Sequence, residues 1–176
     1  MITLLLVMII INSCCKKDNS DPQIELKLGV SYQGGIIFYV DATGNHGLIA
    51  ATSDLSRSTS WWNGSFIATG ATSTTDGSSN TTVIINAQTN SGSYAAKICR
   101  DYRGGGKNDW FLPSKNQLNI LYSQKALVGG FSNEIYWSST EYELGNAWIQ
   151  YFLNGEQWID NTSDGATVGT RAIRAF

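Results

Sequence analysis

The order of elements read from the sequence allows an α+β domain. Short apolar runs with strand patterning stand at both ends of its folded part, helical stretches with capping signals lie between them, and glycine, serine, threonine and asparagine fill long connections. Pro occurs only at Pro22 and Pro113 against 18 Gly, with 6 Trp and 8 Tyr, a mix usual for β-rich, loop-rich extracellular modules. At 176 residues, 42% apolar and 11% aromatic, the chain can bury a core of its own and holds one domain rather than two.

Met1 to Ile11 is an apolar run interrupted only by Thr3. It is too short for a bilayer-spanning helix, which takes roughly 20 residues, and fits a signal h-region. The run stops at Asn12-Ser13-Cys14-Cys15-Lys16-Lys17, where a small residue precedes a Cys and polar residues follow. This resembles a bacterial lipoprotein signal over residues 1–13. The resemblance implies that the signal is removed and Cys14 acylated, Cys15 being the alternative, and that the chain is anchored to a membrane of the bacterial cell envelope, at the outer membrane or cell surface. The competing reading is an apolar N-terminal strand or helix packed on the domain. Residues 14–28 carry charge, Ser and Pro22 but no aromatic residue, and read as a tether.

The domain is expected over residues 29–176. Ile36 to Val40 and Leu48 to Ala51 form a β-hairpin around a polar turn that holds His46. Thr52 to Asn80 is low in complexity, yet Trp61, Trp62 and Phe66 are poor candidates for free solvation, so the segment reads as an ordered insertion over the core. Helices are expected at Thr81 to Gln88 and at Ser93 to Tyr102, the second capped by Ser93 with Tyr94, Ile98 and Tyr102 stacking at i,i+4. Gly104-Gly105-Gly106 ends it. Ser114 and Gln117 match a capping box for a third helix to about Gln124, striped by Leu118, Leu121 and Tyr122. Strands follow at Ile135 to Thr140, Ala147 to Leu153, Glu156 to Asp160 after an Asn154-Gly155 turn, and Val168 to Phe176. Both faces of the Ala147–Leu153 strand carry bulk, so it belongs in the middle of its sheet.

The ordered blocks YQGGIIFYVD, HGLIAA, NTTVIINAQ, DWFLPSKNQLNILY, YWSSTEY, AWIQYFLNG and RAIRAF resemble the Lcl C-terminal domain family, named for the terminal domain of a bacterial collagen-like adhesin. They are also similar to the Fibrobacter-type major paralogous domain. The resemblance covers about Gly29 to Phe176. It implies a C-type-lectin-like α+β fold: two main helices flanking a mixed, mostly antiparallel sheet, long loops, and paired N- and C-terminal strands. It further implies a non-catalytic surface module for adhesion or capture, binding a polysaccharide, a glycosaminoglycan, another matrix polymer or a partner protein. The LPS block is also similar to sulfatase-modifying enzymes of the same fold. A degenerate relative of those enzymes with catalytic function, or a structural component of the envelope or a surface fibre, is therefore the alternative. Those enzymes hold copper with two thiols, and the domain offers only Cys99.

Composition narrows the chemistry. From residue 29 onward 9 basic residues face 11 acidic ones, which argues against nucleic-acid binding through bulk charge and favours stacking over charge for any glycan. One His excludes sites that need two imidazoles, and no GxSxG elbow is present. His46, Cys99 and a carboxylate could be imagined as a triad, but Cys99 beside Ile98 reads as a core residue. Asn108-Asp109 is too few oxygens for calcium, so no metal or other cofactor is expected. Glu141 and Glu143 are the only close glutamates, and a strand places them on one face.

Trp110 to Pro113, Trp137 and Trp148 read as core. The ligand-binding candidates are Trp61, Trp62 and Tyr142, whose rings could stack on a sugar, with Asn63 for its hydroxyls. Arg103, Lys107 and Arg171 form a candidate sulfate patch, weighed against an ion pair of Arg171 with a neighbouring carboxylate.

Overall fold

A computed structural model describes residues 25–176 except Asn90 and Asn133. The signal, Cys14, Cys15 and most of the expected tether lie outside the described residues. Strands β1 (Ser31–Tyr32), β2 (Gly35–Val40) and β3 (Gly47–Ala51) are followed by helices α1 (Gly77–Gln88), α2 (Ala95–Asp101), α3 (Lys115–Ser123) and α4 (Lys125–Val128). The chain ends in β4 (Ile135–Glu143), β5 (Asn146–Tyr151), β6 (Gln157–Asn161), β7 (Val168–Gly169) and β8 (Ile173–Ala175). The fold is thus α+β, as expected. It contains two four-stranded sheets, ordered β1-β2-β3-β8 and β6-β5-β4-β7, antiparallel except for the β4/β7 pair.

Alternation along these strands builds a core on each side. Ile37, Ile49, Trp137 and Ile149 join Trp61, Ile84, Trp110 and Leu112 in one cluster, which α1 and α2 cover. Leu48, Ala50, Tyr136 and Phe152 join Phe111, Leu118, Leu121 and Ile173 in the other, under α3 and α4. The Trp110–Pro113 segment crosses between them and is buried throughout, as expected.

The hairpin and the central position of β5 match the sequence reading, but the two-residue Asn154-Gly155 turn does not: β5 ends at Tyr151, whose amide donates to Glu156 O at 2.8 Å, so the turn is a four-residue loop from Phe152 to Gly155. Helix α3 matches as well: the Ser114 side chain accepts from the Gln117 amide while the Gln117 side chain reaches back to Ser114, a complete capping box. Helix α1 starts earlier than expected, because Asp76 accepts from the Ser79 amide at 2.9 Å and caps it. Ser93 does not cap α2. Tyr94 takes the N-cap position without a side-chain cap, its ring fully buried and its hydroxyl donating to Thr89 O at 2.7 Å. Core demand for a large ring overrides the local capping preference there.

The run 168–176 is not one strand. Val168–Gly169 pairs in parallel with β4, while Ile173–Ala175 pairs with β3 in the other sheet. Between them the chain is stitched to the segment after β3, with the Leu55 amide on Thr170 O and the Ala51 amide on Ala172 O, both at 2.9 Å. The C-terminal strand therefore pairs with β3, and β1 lies at the far edge of that sheet.

The triple glycine does not end α2, which stops at Asp101 with Tyr102 as its C-cap; it serves a close backbone approach instead. A Cβ on Gly34 (φ 91°) would lie 2.2 Å from Gly105 N, and one on Gly105 (φ 61°) 2.3 Å from Gln33 O. Two turns approach backbone to backbone, which only glycine permits.

Candidate ligand-binding surface

Trp61 leaves no face for a ligand. It is 1% exposed, its indole N–H donates to Ser138 O at 2.8 Å and its amide to Thr162 O at 3.0 Å. The serine-rich loop is anchored by burying this ring, because a buried indole costs little once its single donor is satisfied. Trp62 is half-buried, edge-on to the exposed Phe66 at 5.9 Å. Asn63 spends its amide locally, accepting from the Ser65 amide and donating to Gln88 O, while its backbone N–H donates to Gln88 Oε1. Of the two loop tryptophans, only Trp62 retains accessible ring surface.

The same loop is held at its other end by Glu141. This carboxylate, 6% exposed, accepts from the Thr69 amide, the Thr69 hydroxyl and the Gly70 amide at 2.8–3.1 Å. Glu143 is exposed and accepts from Asn146. The register slips between Glu141 and Glu143, so the two glutamates do not share a face and form no catalytic pair, contrary to strict alternation.

The basic trio does not assemble. Arg171 is 1% exposed: Nε donates to Asp54 Oδ1 at 2.8 Å, Nη1 to Ala51 O and Gly129 O, Nη2 to Gly130 O, and the group lies 4.0 Å from the Phe131 ring centroid. With its donors used and no solvent access, it cannot meet a sulfate. The ion-pair alternative is the one observed. Arg103 is exposed, but its Nη1 folds back onto Arg100 O and Tyr102 O. Lys107 is half-buried near Asp109, whose carboxyl the hydrogen bond from Arg174 holds below its usual range.

Tyr142 is 51% exposed, and the structure brings it together with two residues that sequence reasoning assigned elsewhere or passed over. Its ring stands at 90° to Trp148, 5.7 Å away, and the Lys115 ammonium sits 3.1 Å from the Trp148 ring centroid. Trp148, expected in the core, is half-buried, because β5 runs past the first residue of α3 at that point. Ile159 lies opposite it on β6, and Gln157 Nε2 donates to Lys115 O at 2.9 Å. Lys115 forms no ion pair among the described residues, and desolvation lowers its pKa. Phe66, 65% exposed, rests on Gly145 in the β4–β5 turn, where a Cβ would come within 2.7 Å of its ring. The end of the β4–β5 hairpin thus carries Phe66, Tyr142 and Trp148 with one cation, an arrangement suited to stacking on a ring that also offers hydrogen-bonding groups.

Among the described residues the imagined triad does not come together. Cys99 is fully buried in the first core and burial pushes its thiol well above the ordinary value of 9.0. His46 is exposed in the β2–β3 turn, on a different part of the fold. Among the described residues no three His, Cys, Asp or Glu side chains cluster for a metal, and no helix is long and apolar enough to cross a membrane.

No family model matches the chain, and no curated protein matches it either.

Proposed function

We propose that the protein is a surface-anchored bacterial lipoprotein whose domain is a non-catalytic, C-type-lectin-like module that binds a glycan at the end of the β4–β5 hairpin. The anchor rests on the apolar run that breaks at Ser13-Cys14, and the lectin-like reading on the seven ordered blocks together with the α+β architecture. The observation that carries the binding reading is the exposed Tyr142 ring set at right angles to Trp148, with Lys115 over the indole. Side chains that pack in a core have no reason to stand half in water; ring faces in that position match the C–H faces of a sugar. Enclosure of Arg171 removes the strongest sulfate donor, so stacking and neutral hydrogen bonds dominate the mode.

The test is a glycan array with the purified acylated protein in detergent, at low and physiological salt, beside Tyr142→Ala and Trp148→Ala. Binding that falls about tenfold in either variant and changes little with salt supports the site. Salt-sensitive binding to sulfated chains that survives both changes defeats the stacking mode. Absence of binding to any glycan transfers the reading to a protein partner.

A further inference from the structure

A second, separate cleft of about 470 Å³ opens at the other hairpin, between the β2–β3 end of the first sheet and α3. Register explains its lining. Tyr39 pairs with Leu48 and Leu48 with Ala175, and the Asp41 amide extends the ladder by donating to His46 O at 2.8 Å. Opposed residues share a face, so Tyr39, Asp41, His46 and Leu48 stand on the side that α3 flanks with Gln117 and Ile120.

Three properties of this cleft agree in sign. The Asp41 carboxylate is asymmetric in its bonding: Oδ1 accepts from the Thr43 amide, the Thr43 hydroxyl and the His46 amide, whereas no hydrogen bond from a described residue reaches Oδ2. Hydrogen bonding from the Thr43 side chain and neighbouring amides holds the carboxyl below its ordinary value, so it is ionised throughout the neutral range. Neither lysine nor arginine lines the cleft, and Tyr39, 40% exposed, lines it two residues along β2 from Asp41, together with the apolar Leu48 and Ile120. A carboxylate, an aromatic ring and apolar side chains lining one cleft are the complement of a cation on an aliphatic stem.

The geometry points to this cleft as a binding site for an organic cation, an ammonium or guanidinium group on a short alkyl chain, with Asp41 Oδ2 as its counter-ion and Tyr39 as its stacking face. Such a group comes either from a free amine or from a lysyl or arginyl side chain of another polypeptide. The site is distinct from the β4–β5 surface and does not depend on what binds there.

Saturation-transfer NMR on the full-length protein in perdeuterated detergent tests it, with n-butylammonium, n-butylguanidinium and the uncharged n-butanol as probes. Both cations are expected to bind saturably and the alcohol not. Asp41→Asn, which keeps an acceptor for the turn but removes the charge, should weaken the cations about fivefold, and Tyr39→Leu about threefold, with near-UV circular dichroism confirming an intact fold. A blocked peptide with one central lysine assigns the source: tighter binding than butylammonium identifies a polypeptide side chain, weaker binding a free amine. Butanol binding as well as butylammonium, no saturable binding by either cation, or cation binding unchanged in both folded variants overturns the assignment.

Discussion

The Arg171 guanidinium and the Asp54 carboxylate form a sealed ion pair, Nη2 to Oδ1 2.7 Å, with side-chain exposures of 0% and 4%. Asp54 Oδ2 also accepts from the Ser132 amide and hydroxyl and from the Tyr136 hydroxyl, so one carboxylate ties the segment after β3 to the approach to β4 and to the link between β7 and β8. Asp54→Ala leaves a buried guanidinium without its counter-charge and is expected to cost about 3–5 kcal/mol. Urea unfolding followed by tryptophan fluorescence measures it; a loss below about 1 kcal/mol would show that water reaches the pair.

Glu141 holds the serine-rich loop from inside the domain. Glu141→Ala removes three charge-assisted acceptances from Thr69 and Gly70 and leaves their donors unpaired, at an expected cost of about 3 kcal/mol. The loss is local before it is global. Limited proteolysis should therefore cut first between residues 62 and 72 in the variant and spare that segment in the parent.

Burial of Cys99 has a pH consequence. Because the folded state raises the thiol pKa, the unfolded chain loses its proton first, and this contribution to stability is complete below the ordinary value of 9.0 and lost as pH climbs from there toward the higher folded value. Cys99→Ala should flatten that alkaline limb in melting curves. A disulfide reagent at pH 8, with the labelled site read by peptide mapping to separate it from Cys14 and Cys15, should modify Cys99 only after unfolding, and immediate labelling at Cys99 in the native protein would contradict its burial.

Acylation is checked on the intact protein. Cys14→Ala is expected to accumulate as an unprocessed precursor, and mass spectrometry of the parent should find residue 14 at the N-terminus with acyl mass. Retention of Met1 without acyl mass removes the lipoprotein reading. Acylation at Cys15 would instead move the cleavage point by one residue.

Features that depend on a few adjacent residues were legible in the sequence. The Ser114–Gln117 capping box, the hairpin around His46 and the place of β5 inside its sheet follow from bonding and periodicity within a dozen residues. The sequence also established the near-neutral charge of the domain and its lone cysteine, and its order of elements agrees with the α+β class observed. Tertiary structure alone decided which aromatic residues meet water. Trp61 lies in a polar loop and Trp148 in a strand pattern, yet the loop ring is buried on Ser138 and the strand ring stands half exposed beside Lys115. Their exposure depends on where α3 begins relative to β5 and on where the loop is pinned by Glu141, neither of which is a local property. The same holds for Arg171, whose partner is 117 residues away, for the slip that separates Glu141 from Glu143, and for the break that sends residues 168–176 into two sheets. Long-range pairing selects among local patterns of similar energy, so burial, and with it the binding surface, is settled only once the two sheets are assembled.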